Sequence, residues 1–116
     1  MELTINGKAY SFKFGVKFVR EVDKRKPFER EGVQFGLGLV ARILPELQAT
    51  NVATLSDVLY MANQTESPKI KQSELDDFID DHEDIEALFD EVIKELRESN
   101  AGKLAMRQMD ENKPKQ

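Results

Sequence analysis

The densest run of side chains able to do chemistry is Asp80-Asp81-His82-Glu83-Asp84. Acids beside a histidine suit a divalent cation or a general acid–base pair. The spacing fits neither. A calcium loop of the EF-hand type sets its oxygen ligands at alternate positions and turns on a glycine at position six. Here the acids are consecutive and no glycine is among them. The chain has one histidine and no cysteine, too few ligands for a zinc site built on those residues. A Ser-His-Asp arrangement would need His82 as its base, and no Gly-x-Ser-x-Gly element accompanies it. Phe35-Gly36-Leu37-Gly38-Leu39 has two glycines, but lacks the third of a dinucleotide loop and the Lys-Ser/Thr of a phosphate loop. Carboxylate pairs abound, yet glycoside hydrolysis needs two across a cleft, and nothing marks such a pair. These residues predict no catalytic site, no metal and no cofactor, and the acidic run reads as a solvated turn between helices.

Charge is distributed unevenly. Residues 1–30 hold eight Lys/Arg against four Asp/Glu, whereas residues 74–91 hold ten Asp/Glu and no Lys/Arg. The acidic stretch, with Asp76, Asp77, Asp80 and Asp81, has two readings. It is a docking face for a basic partner, including the basic half of a second copy, or it is a solvated helix face. On a helix, Lys17, Arg20 and Lys24 share one side, opposite the Val/Phe stripe, and Arg25 and Lys26 extend it. That side could hold phosphates, which makes a small nucleic-acid-associated regulator using residues 17–26 the alternative function. Glu21 and Asp23 beside it and the net charge of −5 weigh against nucleic acid.

These side chains must be positioned by local elements. Leu3 and Ile5, then Tyr10, Phe12 and Phe14, alternate with polar or small residues, the period of strands with one buried face. Asn6-Gly7 between them predicts a tight hairpin, which must lie on a helix to be stable. Val16, Val19 and Val22, with Phe18, predict a helix ended by Lys24-Arg25-Lys26-Pro27. Residues 28–32 read as a loop. A second helix is predicted over residues 33–44, ahead of Pro45, which either breaks it or opens a new short turn. Asn51 is a candidate cap for a third over residues 53–63. A polar linker over 64–71 precedes a fourth, with Ser73 as cap and Leu75, Phe78 and Ile79 as its stripe. The last helix starts at the cap Asp84, carries Ile85, Leu88, Phe89, Val92, Ile93 and Leu96, and stops at Ser99-Asn100 with Gly102. Its stripe suits a core face or a self-association seam.

The prediction is therefore an α+β fold, an N-terminal β-hairpin packed on a bundle of four or five α-helices, with a flexible C-terminal tail. Residues 1–100 form the single domain and 101–116 the polar tail. At 116 residues, 40% hydrophobic and with seven Phe, the chain suits one domain with a real core. No apolar run approaches the ~20 residues of a membrane span. The start, Met1-Glu2-Leu3-Thr4, is a strand pattern without the positive region of a secretory signal. The absence of cysteine fits a reducing compartment.

Several of these segments resemble a known family. They are Leu3-Thr4-Ile5-Asn6-Gly7-Lys8 with Tyr10, Phe12, Phe14-Gly15, Phe18 and Arg20-Glu21-Val22-Asp23, then Gly32-Val33-Gln34-Phe35-Gly36-Leu37-Gly38-Leu39. Leu55-Ser56-Asp57-Val58-Leu59-Tyr60-Met61-Ala62, Glu74-Leu75-Asp76-Asp77-Phe78-Ile79 and Asp84-Ile85-Glu86-Ala87-Leu88-Phe89-Asp90-Glu91 continue the likeness. In this order, over residues 2–99, they resemble the tail assembly chaperones of long-tailed (siphovirus-type) phages of Gram-positive bacteria. The resemblance implies a non-enzymatic protein of the host cytoplasm, absent from the finished virion. It would bind the tape measure protein and help recruit the major tail protein. It also implies a longer form made by ribosomal frameshifting, of which this chain looks like the short counterpart, and homo-oligomers. An amphipathic helix of such a partner needs an apolar seat. Phe28 and Phe35, flanking a Gly-containing loop, and Met106 and Met109 near the C-terminus are the candidate apolar contacts. Asp76, Asp77, Asp80 and Asp81 are the candidate polar ones.

Overall fold

The alternating N-terminal residues form an antiparallel hairpin, β1 (Glu2–Ile5) and β2 (Lys8–Ser11), with Glu2 opposite Ser11 and Ile5 opposite Lys8. Asn6 and Gly7 turn it, both at positive φ (52° and 77°), the two-residue geometry whose twist matches paired strands. Glycine has no Cβ to oppose that conformation, and asparagine tolerates it. Ile5, Tyr10, Phe12 and Phe14 are buried, so one face of the hairpin lies on the helices. The second strand, expected to reach Phe14, ends at Ser11. After the Phe12 amide donates to the Met1 carbonyl, the Lys13 amide turns to the Ala62 carbonyl (2.9 Å), and the ladder stops.

The computed structural model describes residues 1–25 and 38–111, with the backbone alone for 108–111. The predicted loop over 28–32, the first half of the predicted second helix, Phe28, Phe35 and the side chain of Met109 lie outside the described residues. Six α-helices occur among those described: α1 (Val16–Arg25), α2 (Leu44–Gln48), α3 (Val52–Asn63), α4 (Gln72–Asp80), α5 (Ile85–Glu98) and α6 (Asn100–Glu111). The architecture is the predicted α+β one, with one helix more than expected. A single cluster of buried apolar side chains runs from Ile5 in the hairpin to Ala105 in α6.

In α1, Phe18, Val19 and Val22 are buried, and the Phe14 and Phe18 rings meet edge to face at 5.2 Å. Val16, counted with that stripe in the sequence, is 53% exposed, because it opens the helix at the rim of the fold. The next helical stretch does not stop at Pro45. Leu39–Ile43 is π-helical, the Leu44 amide donates to the Leu39 carbonyl, and α2 follows directly with Pro45 in its first turn. Proline gives no N–H to the carbonyl four residues back, and in an α-turn its ring strikes that carbonyl. The wider π turn separates the two and lets the helix run on. Its start is tied to α1 by the Gly38 amide, which donates to the Asp23 carboxylate (3.2 Å).

Asn51 caps α3 as predicted, accepting from the Thr54 amide (3.1 Å). This helix packs against α1, α2 and α4 and is buried on most of its surface, including the polar Thr54, Ser56 and Asn63. Asn63 is wholly buried. Its amide donates to the carbonyls of Ser11 (3.0 Å) and Pro68 (3.1 Å), and its oxygen accepts from the Ile70 amide (2.8 Å). The linker expected to be merely polar thus delivers Ile70 to the core. α4 begins at Gln72 with Lys71 at the cap position, two residues before the expected cap Ser73. The Gln72 side chain donates to Asp57 of α3 (2.7 Å) and so holds the first helical residue in place.

Asp84 caps α5 by accepting from the Ala87 amide (3.1 Å), and Leu88, Phe89, Val92 and Leu96 face the core. The expected tail from residue 101 is, as far as Glu111, a helix. Ser99, extended in backbone, ends α5 and also caps α6, its Oγ accepting from the Gly102 amide (3.0 Å). At Gly102 a Cβ would lie 1.8 Å from the Leu96 carbonyl oxygen, so only glycine allows the two helices to fold this closely.

Candidate functional site

The acids singled out in the sequence do not form one face. Asp76 points to α3, where its carboxylate accepts from the Ser56 hydroxyl. Asp77 and Asp81, one helical turn apart, line a groove of about 530 Å3 between the end of α4, the start of α5 and the hairpin turn. Asp80 is exposed and does not line it. Glu74, Glu83 and Asp84 complete the acidic wall, and Ile5 and Asn6 come from the hairpin. Phe78 and His82 supply an aromatic wall, their ring centroids 5.0 Å apart. Asp84 is already engaged as the α5 cap. Among the described residues no group of three or more His, Asp and Glu is arranged to hold a metal ion.

Local sequence explains this layout. A helix repeats every 3.6 residues, so Leu75 and Ile79 bury one stripe, and Asp77 and Asp81 fall together on another. Asp76 falls beside the buried stripe, next to α3. The sequence reading missed its partner Ser56. The signal available was a small hydroxyl beside Leu55 in a helical run, Leu55 to Ala62, whose only charged residue is Asp57.

The basic helix has the geometry expected of it. Lys17, Arg20 and Lys24 are exposed, while Phe18, Val19 and Val22 are buried behind them. Arg25 is drawn aside: its Nε bonds Glu21 (2.6 Å) and its guanidinium lies 5.4 Å from the centre of the Tyr60 ring. Lys26 lies outside the described residues. Of the apolar candidates, Met106 is partly buried and packs against the core from α6, while its neighbour Leu104 is 57% exposed. No described helix is long and apolar enough to cross a membrane.

One protein family, described as "Phage tail assembly chaperone protein, TAC", matches residues 2–111. The match spans the hairpin and every described helix. No curated protein and no solved structure matches the chain.

Proposed function

The chain belongs to the phage tail assembly chaperone family, and from that premise we propose that it binds the tape measure protein of a siphovirus-type phage and helps recruit the major tail protein. The observation that carries this reading is the extent of the family match, which runs through the whole described fold. The role is non-enzymatic and is played in the cytoplasm of a Gram-positive host, outside the finished virion. A frameshifted long form and homo-oligomers are its further partners.

In this reading Asp77 and Asp81 offer a basic partner two carboxylates beside an aromatic wall. Asp76 is less suited, being committed to Ser56, and Asp80 adds only long-range attraction. Phe28, Phe35, Met106 and Met109 are the apolar contacts. The test is co-expression with a tape measure fragment, followed by size-exclusion chromatography with light scattering. A soluble complex of defined mass is expected. An insoluble fragment beside a free 13.3 kDa chain overturns the reading. Reversing Asp77 and Asp81 to lysine should weaken the complex about tenfold or more, and reversing Asp80 much less; equal effects would remove the groove from the account.

The exposed row Lys17, Arg20 and Lys24 favours a second reading, a nucleic-acid-associated regulator. A gel shift at low salt that fades as salt rises would support it.

A further inference from the structure

A second cleft, of about 650 Å3, opens between the hairpin exit and the α5–α6 corner. Its charges are sorted by element. Lys13 and Lys17 come from the β2–α1 connection and the first turn of α1, whereas Glu66 comes from the α3–α4 linker and Glu95 and Glu98 from the last turn of α5. Among the described residues no ion pair joins either lysine to any of these glutamates. Oppositely charged side chains around one opening that make no ion pair with each other leave both signs available to an occupant. Between them lies apolar surface, of which Val16 is 53% exposed, one of the large apolar side chains left most open on the described surface.

We propose that this cleft is the seat for an amphipathic helix of the tape measure protein whose apolar stripe is flanked by an acidic row on one side and a basic row on the other. The assignment rests on the chaperone reading above and adds a second contact, separate from the groove of Asp77 and Asp81, with its own chemistry. Charge complementarity selects the occupant. An acidic row meets Lys13 and Lys17 while a basic row meets Glu95 and Glu98, and the apolar stripe covers Val16. A helix of one sign would satisfy one wall and be repelled by the other. The opening is too exposed to enclose a small molecule, since Lys13, Val16, Lys17 and Glu98 all face solvent. A helix about 10 Å across brings enough surface of its own to cover them.

Three synthetic helices with the same leucine stripe test this, one with a glutamate row and a lysine row, one with glutamate in both, one with lysine in both. Binding to the full chain is followed by fluorescence anisotropy at moderate salt. The two-signed helix should bind about tenfold tighter than either other. Val16→Asp should abolish its binding, and Lys13→Glu with Lys17→Glu should shift preference to the lysine helix. Circular dichroism confirms that these surface variants fold. Equal binding by all three overturns the proposal, and so does preference of the unaltered chain for the lysine helix, which its net charge of −5 alone would produce. A dimer of the chain alone that Val16→Asp disperses would assign the cleft to a second copy and likewise overturn it. The co-expressed tape measure fragment separates the two readings. If the unaltered chain solubilises it and Val16→Asp does not, the cleft is the seat. If both solubilise it, the cleft assignment falls and the chaperone reading stands. If neither does, the chaperone reading falls, and with it the named occupant.

Discussion

Two joins hold the walls of that cleft, and they are built in opposite ways. At the hairpin exit a buried amide, Asn63, ties the Ser11 carbonyl, 52 residues away, to Pro68 and Ile70 in the linker just beyond α3. At the α5–α6 corner no distant partner is needed. Ser99 bonds its own neighbours, Leu96 and Gly102, and a missing side chain at Gly102 lets backbone meet backbone. The first join is long-range and polar, and the second is local and steric. The lysine side of the cleft, and Glu66 with it, thus depends on the whole fold being assembled, whereas Glu95 and Glu98 depend on one turn of chain.

Breaking the first join should have the largest effect. Asn63→Ala removes three hydrogen bonds and leaves the buried Ile70 amide unpaired, which should cost about 3 kcal/mol of global stability. Chemical denaturation should show the loss with one transition, because hairpin, α3 and linker come apart together. A loss below about 1 kcal/mol would mean that these carbonyls and this amide find other partners, and the long-range character of the join would be lost.

The second join should break locally. In Gly102→Ala the new methyl meets the Leu96 carbonyl at a distance no real contact allows, so α6 must shift away from α5. α6 is held by small buried residues, Ala101 and Ala105, and by the partly buried Met106. The cost should be about 2 kcal/mol and should be felt by α6 rather than by the hairpin. Hydrogen exchange checks this: the amides of α6 should lose protection while those of β1 and β2 keep theirs. Equal loss in both would show that the corner is part of the global core.

The same contrast explains what was legible in the sequence. Leu3, Ile5 and Tyr10 announce the hairpin because strand period and the Asn6-Gly7 turn are local signals, and the α5 stripe is equally plain at helical spacing. Asn63 gave no such signal. It sits at the end of a helix, where any polar residue passes unnoticed, and its Ser11 partner is 52 residues away. The stop at Ser99 is where α5 ends, but the restart of α6 there is hidden because helix ends share a vocabulary. Ser and Gly mark a stop, but Ser also caps a start, and here Gly102 is the third residue of the next helix. Asp76, Asp77, Asp80 and Asp81 read as one acidic face in the sequence, of which the helix repeat brings only Asp77 and Asp81 to the groove, while Lys17 and Glu95 come to one opening only through the tertiary fold. Val16 was assigned to the core because its spacing is right; its position at the first turn decides otherwise.

Ser99→Ala removes the cap of α6 and should cost about 1 kcal/mol. Combined with Gly102→Ala it should be clearly non-additive, since both changes act on the same turn and an undocked α6 has no packed start left to cap. Combined with Asn63→Ala it should add within about 0.5 kcal/mol, because the two joins share no hydrogen-bond partner. Denaturation of the single and double variants gives both coupling energies. A substantial coupling between Asn63 and Ser99 would contradict independent walls, and would mean that the cleft opens and closes as one unit whose width a bound helix could set.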